Sequence, residues 1–335
     1  MRARLERVPE ESIAQCVIDH WGLAVDALHY VPEGAGAYHW IVETVDAQRW
    51  FVTCDDLDVK PWLGRDRDTV FGGLRAAYTT AMGLHASGLP FVVAPRASMS
   101  GVPIERLDDR HAVSVFAHVV GEPQQWGSRV AASVTAEVVT MLAALHQGFA
   151  DDAPLAQRGF EVPGRDDLEA ALDDLDETWD RGPLSDQARR VLADHADVVA
   201  SWLARIDRAA RDLAAPEGTA VITHGEPHPG NLIRTPGGVA LVDWDTVASA
   251  RPERDLWMLV DQEPDLAVTY QRLTGTTVDP DAVAAYRLLW AVTDVASYTA
   301  QLRAEHSRDE DADRALLALH AVLEGREPAP YGRRQ

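Results

Sequence analysis

Lysine is almost missing from this chain. Of its 31 basic residues, only Lys60 is a lysine, in Asp58-Val59-Lys60-Pro61-Trp62. Cysteine is nearly as scarce. Cys16 and Cys54 alone give no disulfide framework. No uninterrupted apolar run reaches the roughly 18 residues of a membrane-spanning helix. Nothing like a secretory leader surrounds Arg2-Ala3-Arg4, so a cytoplasmic protein is expected. Positive charge is short overall: 31 basic against 53 acidic residues leave a net charge of −22. Nucleic acid and anionic membranes need a positive footprint, so neither is an expected partner. A cationic small molecule suits the acidic balance. The acid clusters Asp151-Asp152, Asp166-Asp167 and Asp173–Glu177 also serve solubility alone. With 335 residues, 46% of them hydrophobic, the chain can bury a full core without staples. The oligomeric state is not legible.

What the sequence does have is concentrated in Val221–Asp245, V-I-T-H-G-E-P-H-P-G-N-L-I-R-T-P-G-G-V-A-L-V-D-W-D. Two short apolar runs, Ala220–Thr223 and Val239–Val242, read as neighbouring strands. Pro236-Gly237-Gly238 marks a turn between them. The first run opens into a loop of ionisable groups and the second ends on Asp243-Trp244-Asp245. A carboxylate, an amide and two further carboxylates thus reach neighbouring strand ends. Phosphoryl transfer needs such a set: one group to orient a hydroxyl, and hard oxygen ligands to hold Mg²⁺ on phosphates. His224 and His228, four apart, could also be read as zinc ligands. However, no third Cys or His lies near, and the segment is a loop, so loop-bracing hydrogen bonds are the stronger reading.

H-G-E-P-H-P-G-N followed by V-D-W-D resembles the catalytic loop and metal motif of the aminoglycoside phosphotransferase and choline kinase-like family of small-molecule kinases. The motif match is specific over about 25 residues and looser elsewhere. The resemblance implies an α+β, protein-kinase-like two-lobed fold. Its N-lobe would be β-rich with one main helix, and its C-lobe mostly α-helical. It places Glu226 at the catalytic carboxylate, with His228 beside it. It places Asn231 and Asp243 at the Mg²⁺ ligands, with Asp245 a further acid near the metals. His224 and Asp255 fall at positions that brace the loop. One departure is plain: the family has Asp where this chain has Glu226. The extra methylene moves the carboxylate about 1.5 Å, and a misplacement near 1 Å can cost about a hundredfold in rate.

The amino-terminal part is then expected to bind the nucleotide. Gly34 and Gly36, in P-E-G-A-G-A-Y, lie between strand-like runs at Val25–Val31 and Tyr38–Val45 and suit a phosphate-covering turn. An ordinary hairpin loop is equally readable. A third strand, Arg49–Cys54, follows. Where the family often carries a lysine near its end, this chain has Thr53. Lys60, in the next loop, either replaces that lysine or is a solvated loop residue. The helix expected over Asp68–Ser87 has no Glu in its body, so a lysine–acid pair would need another partner, for example Asp68. Phe91–Ala94, Pro103–Leu107 and Ala112–Val120 read as further strands of a five-stranded lobe. The last of them, by resemblance, offers backbone groups to the purine around Phe116 and His118.

Gly121-Glu122-Pro123 breaks the pattern. It divides the chain into an N-lobe over 1–120 and a C-lobe over 121–335. Helices are expected over Arg129–Phe149, Asp167–Trp179, Asp186–Leu213, Pro280–Arg303 and Asp309–Gly325, with another entered at Arg251–Trp257. The expected function is Mg²⁺-dependent transfer of the γ-phosphate of ATP or GTP to a small-molecule hydroxyl. An antibiotic acceptor of aminoglycoside, aminocyclitol, macrolide or nucleoside type would make it a resistance enzyme. A metabolic acceptor such as choline, homoserine or a sugar is the alternative. A nucleotide-binding pseudo-kinase is the reading from a different class.

Overall fold

The computed structural model describes residues 8–32, 36–128, 130–148, 155–215, 218–260, 263–326 and 330. Its amino-terminal part is a five-stranded antiparallel sheet in the order β1-β2-β3-β5-β4. The strands are β1 (Val25–Val31), β2 (Ala37–Thr44), β3 (Arg49–Asp56), β4 (Glu105–Arg106) and β5 (His111–Ala117). Alternation decides which side chains go where. Tyr38, Trp40 and Val42 of β2, Val52 and Cys54 of β3, and Val113 and Val115 of β5 share one face. That face is covered by Ile13, Val17 and Trp21 of α1 (Glu10–Trp21). The sequence reading had no helix there. The signal is nevertheless present, as Ile13, Val17 and Trp21 at four-residue spacing closed by a left-handed Gly22 cap. The N-lobe therefore carries this short helix in addition to the expected main one.

The opposite face receives α2 (Arg67–Ala86), through Val70, Leu74 and Tyr78 against Ala112 and Ile104. Its start is set by a capping box. The Asp66 carboxylate accepts from Thr69 N at 2.9 Å, and Thr69 Oγ1 accepts from Asp66 N at 3.2 Å. Of the strands expected next, Phe91–Ala94 is not part of the sheet. It makes a single bridge, Val92 to Leu241, with Leu241 N donating to Phe91 O at 2.8 Å. Its backbone is used to tie the two halves of the molecule together. Pro103–Leu107 contracts to the two residues of β4.

The remainder is helical around three short ladders. Twelve α-helices and strands follow β6 (Glu122–Pro123) among the described residues. They begin with α3 (Ala132–His146), α4 (Arg165–Asp173), α5 (Ser185–Asp194) and α6 (Ala196–Asp212). Then come β7 (Val221–Thr223), β8 (Leu232–Thr235), β9 (Gly238–Leu241) and β10 (Ala248–Ala250), and α7 (Glu253–Val260) and α8 (Asp265–Thr274). The chain closes on α9 (Pro280–Arg303) and α10 (Glu310–Leu323). The expected single helix over Asp186–Leu213 is two. At His195 the ring Nδ1 lies 2.9 Å from Val191 O, the carbonyl that a continuing helix would use, and the backbone N–H turns to Leu192 O instead. The strands expected at Ala220–Thr223 and Val239–Val242 are not paired with each other. β7 pairs with β10, and β9 with β8, a strand the sequence reading had left inside the loop. Helix α9 is the C-terminal organiser. It is capped by Asp279, whose carboxylate accepts from Asp281 N, and it packs against α4, α5, α6, α7 and α10.

The crossing between the sheet and the helical part runs through Gly121. A Cβ there would lie 2.6 Å from Arg234 O and 2.7 Å from Ile233 Cγ2, because β6 pairs directly with those β8 residues. Both obstacles sit on a paired strand, so neither yields cheaply. Gly121→Ala is expected to destabilise the protein by about 1–3 kcal/mol, the usual cost of overpacking. Denaturant unfolding measures this directly, and a variant as stable as the parent would show that β6 and β8 separate freely.

Candidate active site

The loop after β7 is held from behind by one carboxylate. Asp255, in the first turn of α7, is fully buried. It accepts from His224 N at 2.8 Å, from Gly225 N at 2.5 Å and from His146 Nε2 at 3.0 Å. Burial alone would raise its pKa. The hydrogen bond from His146 and the positive neighbours hold it below the usual carboxylate range instead. Gly225 is needed at its place. Its φ is +100°, and a Cβ would lie 2.3 Å from the Arg254 guanidinium. That guanidinium donates to Thr223 Oγ1 and Thr246 O, joining the two ends of the site.

His224 spends both ring nitrogens on backbone. Nε2 lies 3.0 Å from Val242 O, and Nδ1 accepts from Glu226 N at 3.1 Å. Burial pulls it down to about 4, so it is neutral. No lone pair is left for zinc. His228 is also neutral, drawn down to about 3 by burial and by His224. Its ring stands edge-on to Trp126 with centroids 4.7 Å apart, and its Nε2 is 3.9 Å from Glu226 Oε2. The Glu226 side chain keeps 33% of its surface open to the cleft. Enclosure first and the charge of Asp245 second raise it to about 7. This is a pocket-floor carboxylate, not one sealed in a core.

Asn231 sits at the end of a 3₁₀ turn, Pro229–Asn231. Its Nδ2 donates to Glu226 O at 3.0 Å, which commits the amide's NH₂ end to the loop and leaves the carbonyl oxygen as the ligand end. Asp243 follows β9 with φ +66° and ψ +66°. For a residue with a Cβ this costs about 1–3 kcal/mol, and such strain clusters at functional sites. The bend turns Asp243 into the cleft while Asp245, two residues on, stays buried. Enclosure, then the charges of Asp245 and Glu226, push Asp243 well above the usual range. Three crowded acids with an amide oxygen call for a cation and offer the hard donors Mg²⁺ takes. Among the described residues no three His, Cys, Asp or Glu could hold a metal by themselves. A Mg²⁺ here would therefore complete its shell with phosphate oxygens and water.

Lys60 enters this acid cluster from the other lobe. Its side chain is 3% exposed, and Nζ donates to Asp245 Oδ2 at 2.7 Å and lies 3.0 Å from Asp55 Oδ1. Burial works against its charge, but Asp245, Asp55 and Asp243 together keep it protonated and raise its pKa above the usual value. The solvated-loop alternative is thereby removed. Asp68 is not its partner. That carboxylate pairs with Arg106 at 2.5 Å on the surface. Asp55, which the sequence reading passed over, was legible as the cleft-side residue two places after Thr53.

Other nucleotide-site expectations divide. Gly36, at φ +78°, lies beside this group, where an added Cβ would be 3.9 Å from Lys60 Nζ. Gly34 is outside the described residues. Thr53 is buried with its hydroxyl 3.3 Å from His39 Nδ1. Phe116 packs edge-on against Tyr78, and His118 N donates to Arg49 O at 3.4 Å. A cavity of about 2030 Å³ takes in Lys60, Glu226, His228, Asn231, Asp243 and Asp245, but Thr53, Phe116 and His118 do not line it. Its far wall is aromatic and was not anticipated. Trp126 and Trp290 stack with centroids 5.5 Å apart, and Trp257 lies 5.9 Å from Trp290. Tyr286, Leu289, Trp290 and Thr293 of α9 face the cavity at helical spacing.

Known proteins are similar to this chain. StrN of Streptomyces griseus is 27% identical over 296 residues, covering 84% of each chain. The spectinomycin phosphotransferase APH(9)-Ia, solved with ADP and spectinomycin, superposes with a TM-score of 0.74. The match covers 95% of this chain and 98% of that one at 14% identity. The macrolide 2′-phosphotransferase MphH from Brachybacterium faecium gives a TM-score of 0.51 at 19% identity, covering 95% and 99%. The structural likenesses establish the protein-kinase-like fold. Residues 31–289 match the family described as APH, the phosphotransferase enzyme family. With three-quarters of its length inside that match, the chain belongs to the phosphotransferase enzyme family.

Proposed function

We propose that this protein moves the γ-phosphoryl group of ATP or GTP to a hydroxyl of a small molecule, and that the molecule is an antibiotic. The observation that carries this is the meeting, in one cavity, of Glu226, Asn231, Asp243, Asp245 and Lys60. Residues 1–120 would bind the nucleotide, with the Gly36 turn and Lys60 toward its phosphates. Asn231 and Asp243 would hold Mg²⁺, with Asp245 beside it. Bound there, the ion would neutralise phosphate charge and align the transferred group. Glu226 accepts the proton as the acceptor oxygen bonds to phosphorus and the bond to the leaving diphosphate breaks. His228 and Asn231 fix where Glu226 stands. The aromatic wall and the α9 hydroxyls suit an acceptor ring with one apolar face and several polar substituents. Among the antibiotic classes, a spectinomycin-like aminocyclitol combines those features. The cytoplasm, where the nucleotide is, is the proposed location.

A nucleotide-binding module without transfer is the second reading, and Glu226 in place of the family's Asp is what favours it. A panel of aminocyclitol, aminoglycoside, macrolide, nucleoside and metabolic acceptors, offered with γ-labelled ATP or GTP, separates the two. Label in no acceptor, with nucleotide still bound, would leave the module reading standing.

Two variants test the chemistry. Asp243→Ala is expected to abolish transfer while unfolding at a temperature close to the parent's, since its side chain faces the cleft and supports no core contact. Unchanged turnover in that folded variant would overturn the phosphotransfer reading. Glu226→Gln keeps shape and loses basicity, so kcat is expected to fall roughly 10²–10⁴-fold with little change in nucleotide KM. Glu226→Asp is expected to lose activity as well, because the loop is pinned by Asp255 and does not follow a shorter side chain. A more active Asp variant would mean that the native glutamate is misplaced for catalysis.

A further inference from the structure

Asp55 is a buried acid that the proposed chemistry does not use. It lies on β3, is 1% exposed, and points to the cleft side of the sheet with Thr53. Its cross-strand neighbours are Ala37 on β2 and Ala112 on β5. Neither alanine side chain offers a polar group. Among the described residues Oδ2 has no hydrogen-bond partner, and Oδ1 has the Lys60 ammonium, 3.0 Å away. Desolvation raises its pKa, and Lys60 is the strongest influence that lowers it. A lone buried carboxylate costs several kcal/mol, so such a group is tolerated where a specific counter-charge meets it. Here that charge is Lys60 Nζ, 3.0 Å away.

The geometry around the lysine gives this pairing a purpose. Lys60 sits in the loop between β3 and α2, and loops position charged groups loosely unless they are tied down. The chain turns at Leu57–Val59, with Leu57 N donating to Arg110 O and Asp58 N to Asp56 Oδ1. The Lys60 side chain is thereby folded back under the strand it has just left. It contacts two acids of different kinds. Asp245 belongs to the acid cluster proposed to face the metal and phosphates. Asp55 belongs to the rigid sheet, on the far side from that cluster. Helix α2 contributes nothing to the pair, since its one acid, Asp68, is at the surface. The lysine also lines the main cavity, so it is not sealed into a structural core.

We propose that Asp55 is the positioning residue of the phosphate-binding lysine, holding Lys60 from β3 in place of a helix carboxylate. This rests on the phosphotransferase reading above. Asp55 keeps its ion pair when phosphate oxygens take over the contact that Asp245 makes here. The strand that would otherwise present a lysine directly, at Thr53, thus presents an acid two residues later, and the acid presents the lysine. Asp55 touches no substrate and acts only through Lys60.

The test uses the full chain and Mg·ADP as the probe. Asp55→Asn is nearly isosteric, and calorimetric titration should show Mg·ADP affinity lower on the order of tenfold, the scale of one displaced charged contact. Steady-state kinetics should put the effect on nucleotide KM, with kcat at saturating nucleotide nearly unchanged. A purely structural role would not produce that split. In a Lys60→Met background, Asp55→Asn should change the affinity no further. That double variant removes both charges of the Asp55–Lys60 pair, and thermal unfolding of each variant checks that it is folded before its affinity is read. A readout independent of nucleotide is available because Lys60 is the only lysine. Its acetylation, followed by mass spectrometry, should be faster in Asp55→Asn than in the parent. Parent-like affinity in Asp55→Asn, a further loss in the Lys60→Met background, or unchanged acetylation would each overturn the role of Asp55. A wild-type protein that binds no nucleotide would overturn the phosphotransferase reading with it, and shows itself in the first titration.

Discussion

A single ammonium group sits where four carboxylates meet. Asp55 comes from the sheet, Glu226 from the catalytic loop, and Asp243 and Asp245 from the end of β9. All four weigh on one another through charge. Like charges enclosed together in a medium of low dielectric repel strongly, so this cluster exists because a cation is built into it. Lys60 is that cation, and much of the local architecture follows from bringing it there. The loop after β3 doubles back, Gly36 leaves room above the amine, and Trp62 lies against it with its centroid 5.3 Å from Nζ. The two lobes are joined at the same point, since the lysine belongs to one and Asp245 to the other. Arg158 reinforces the junction by donating to the Trp62 carbonyl.

The loop after β7 is shaped differently, by backbone hydrogen bonds. Asp255 takes the amides of His224 and Gly225, His224 returns a bond to Val242, and Asn231 ties its amide to Glu226 O. Each bond fixes main chain rather than the reacting side chain. Among the described residues the Glu226 carboxylate accepts no hydrogen bond and has His228 Nε2 3.9 Å away, while its backbone is held by His224 and Asn231. A site of this kind accommodates the longer side chain at the tip while the frame behind it stays put.

The parts of the structure written locally were legible in the sequence. Pro280 and Arg303 bound α9 as expected, because an Asp279 cap and a Pro at the first turn mark a start that tertiary contacts do not override. H-G-E-P-H-P-G-N and V-D-W-D marked the segments that bring Glu226, Asn231, Asp243 and Asp245 to one cavity, since closely spaced residues are placed by local structure. What failed depended on distant partners. Nothing near Leu232 says that it begins a strand paired with Pro123 and Leu241 rather than continuing a loop. Nothing near His195 announces that its ring captures the Val191 carbonyl. Asp55 looked like one more acid in an acidic chain, and its meaning came only from an amine five residues later that folds back beneath it. The tryptophan wall shared this fate, being assembled from Trp126, Trp257 and Trp290 on three separate segments.

Helix α9 divides its labour by face. Val292, Val295, Ala296, Thr299 and Leu302 are buried against the neighbouring helices and hold the carboxyl-terminal part together. Leu289, Trp290 and Thr293, interleaved with them, are only partly buried and line the cavity. Stability and ligand choice are therefore encoded on one element but at different positions. A lineage with this framework can exchange one acceptor for another by editing a single stripe, one residue per turn, without dismantling the helix bundle or touching the groups that handle phosphate. Diversification of such a protein is a matter of surface lettering on a fixed spine.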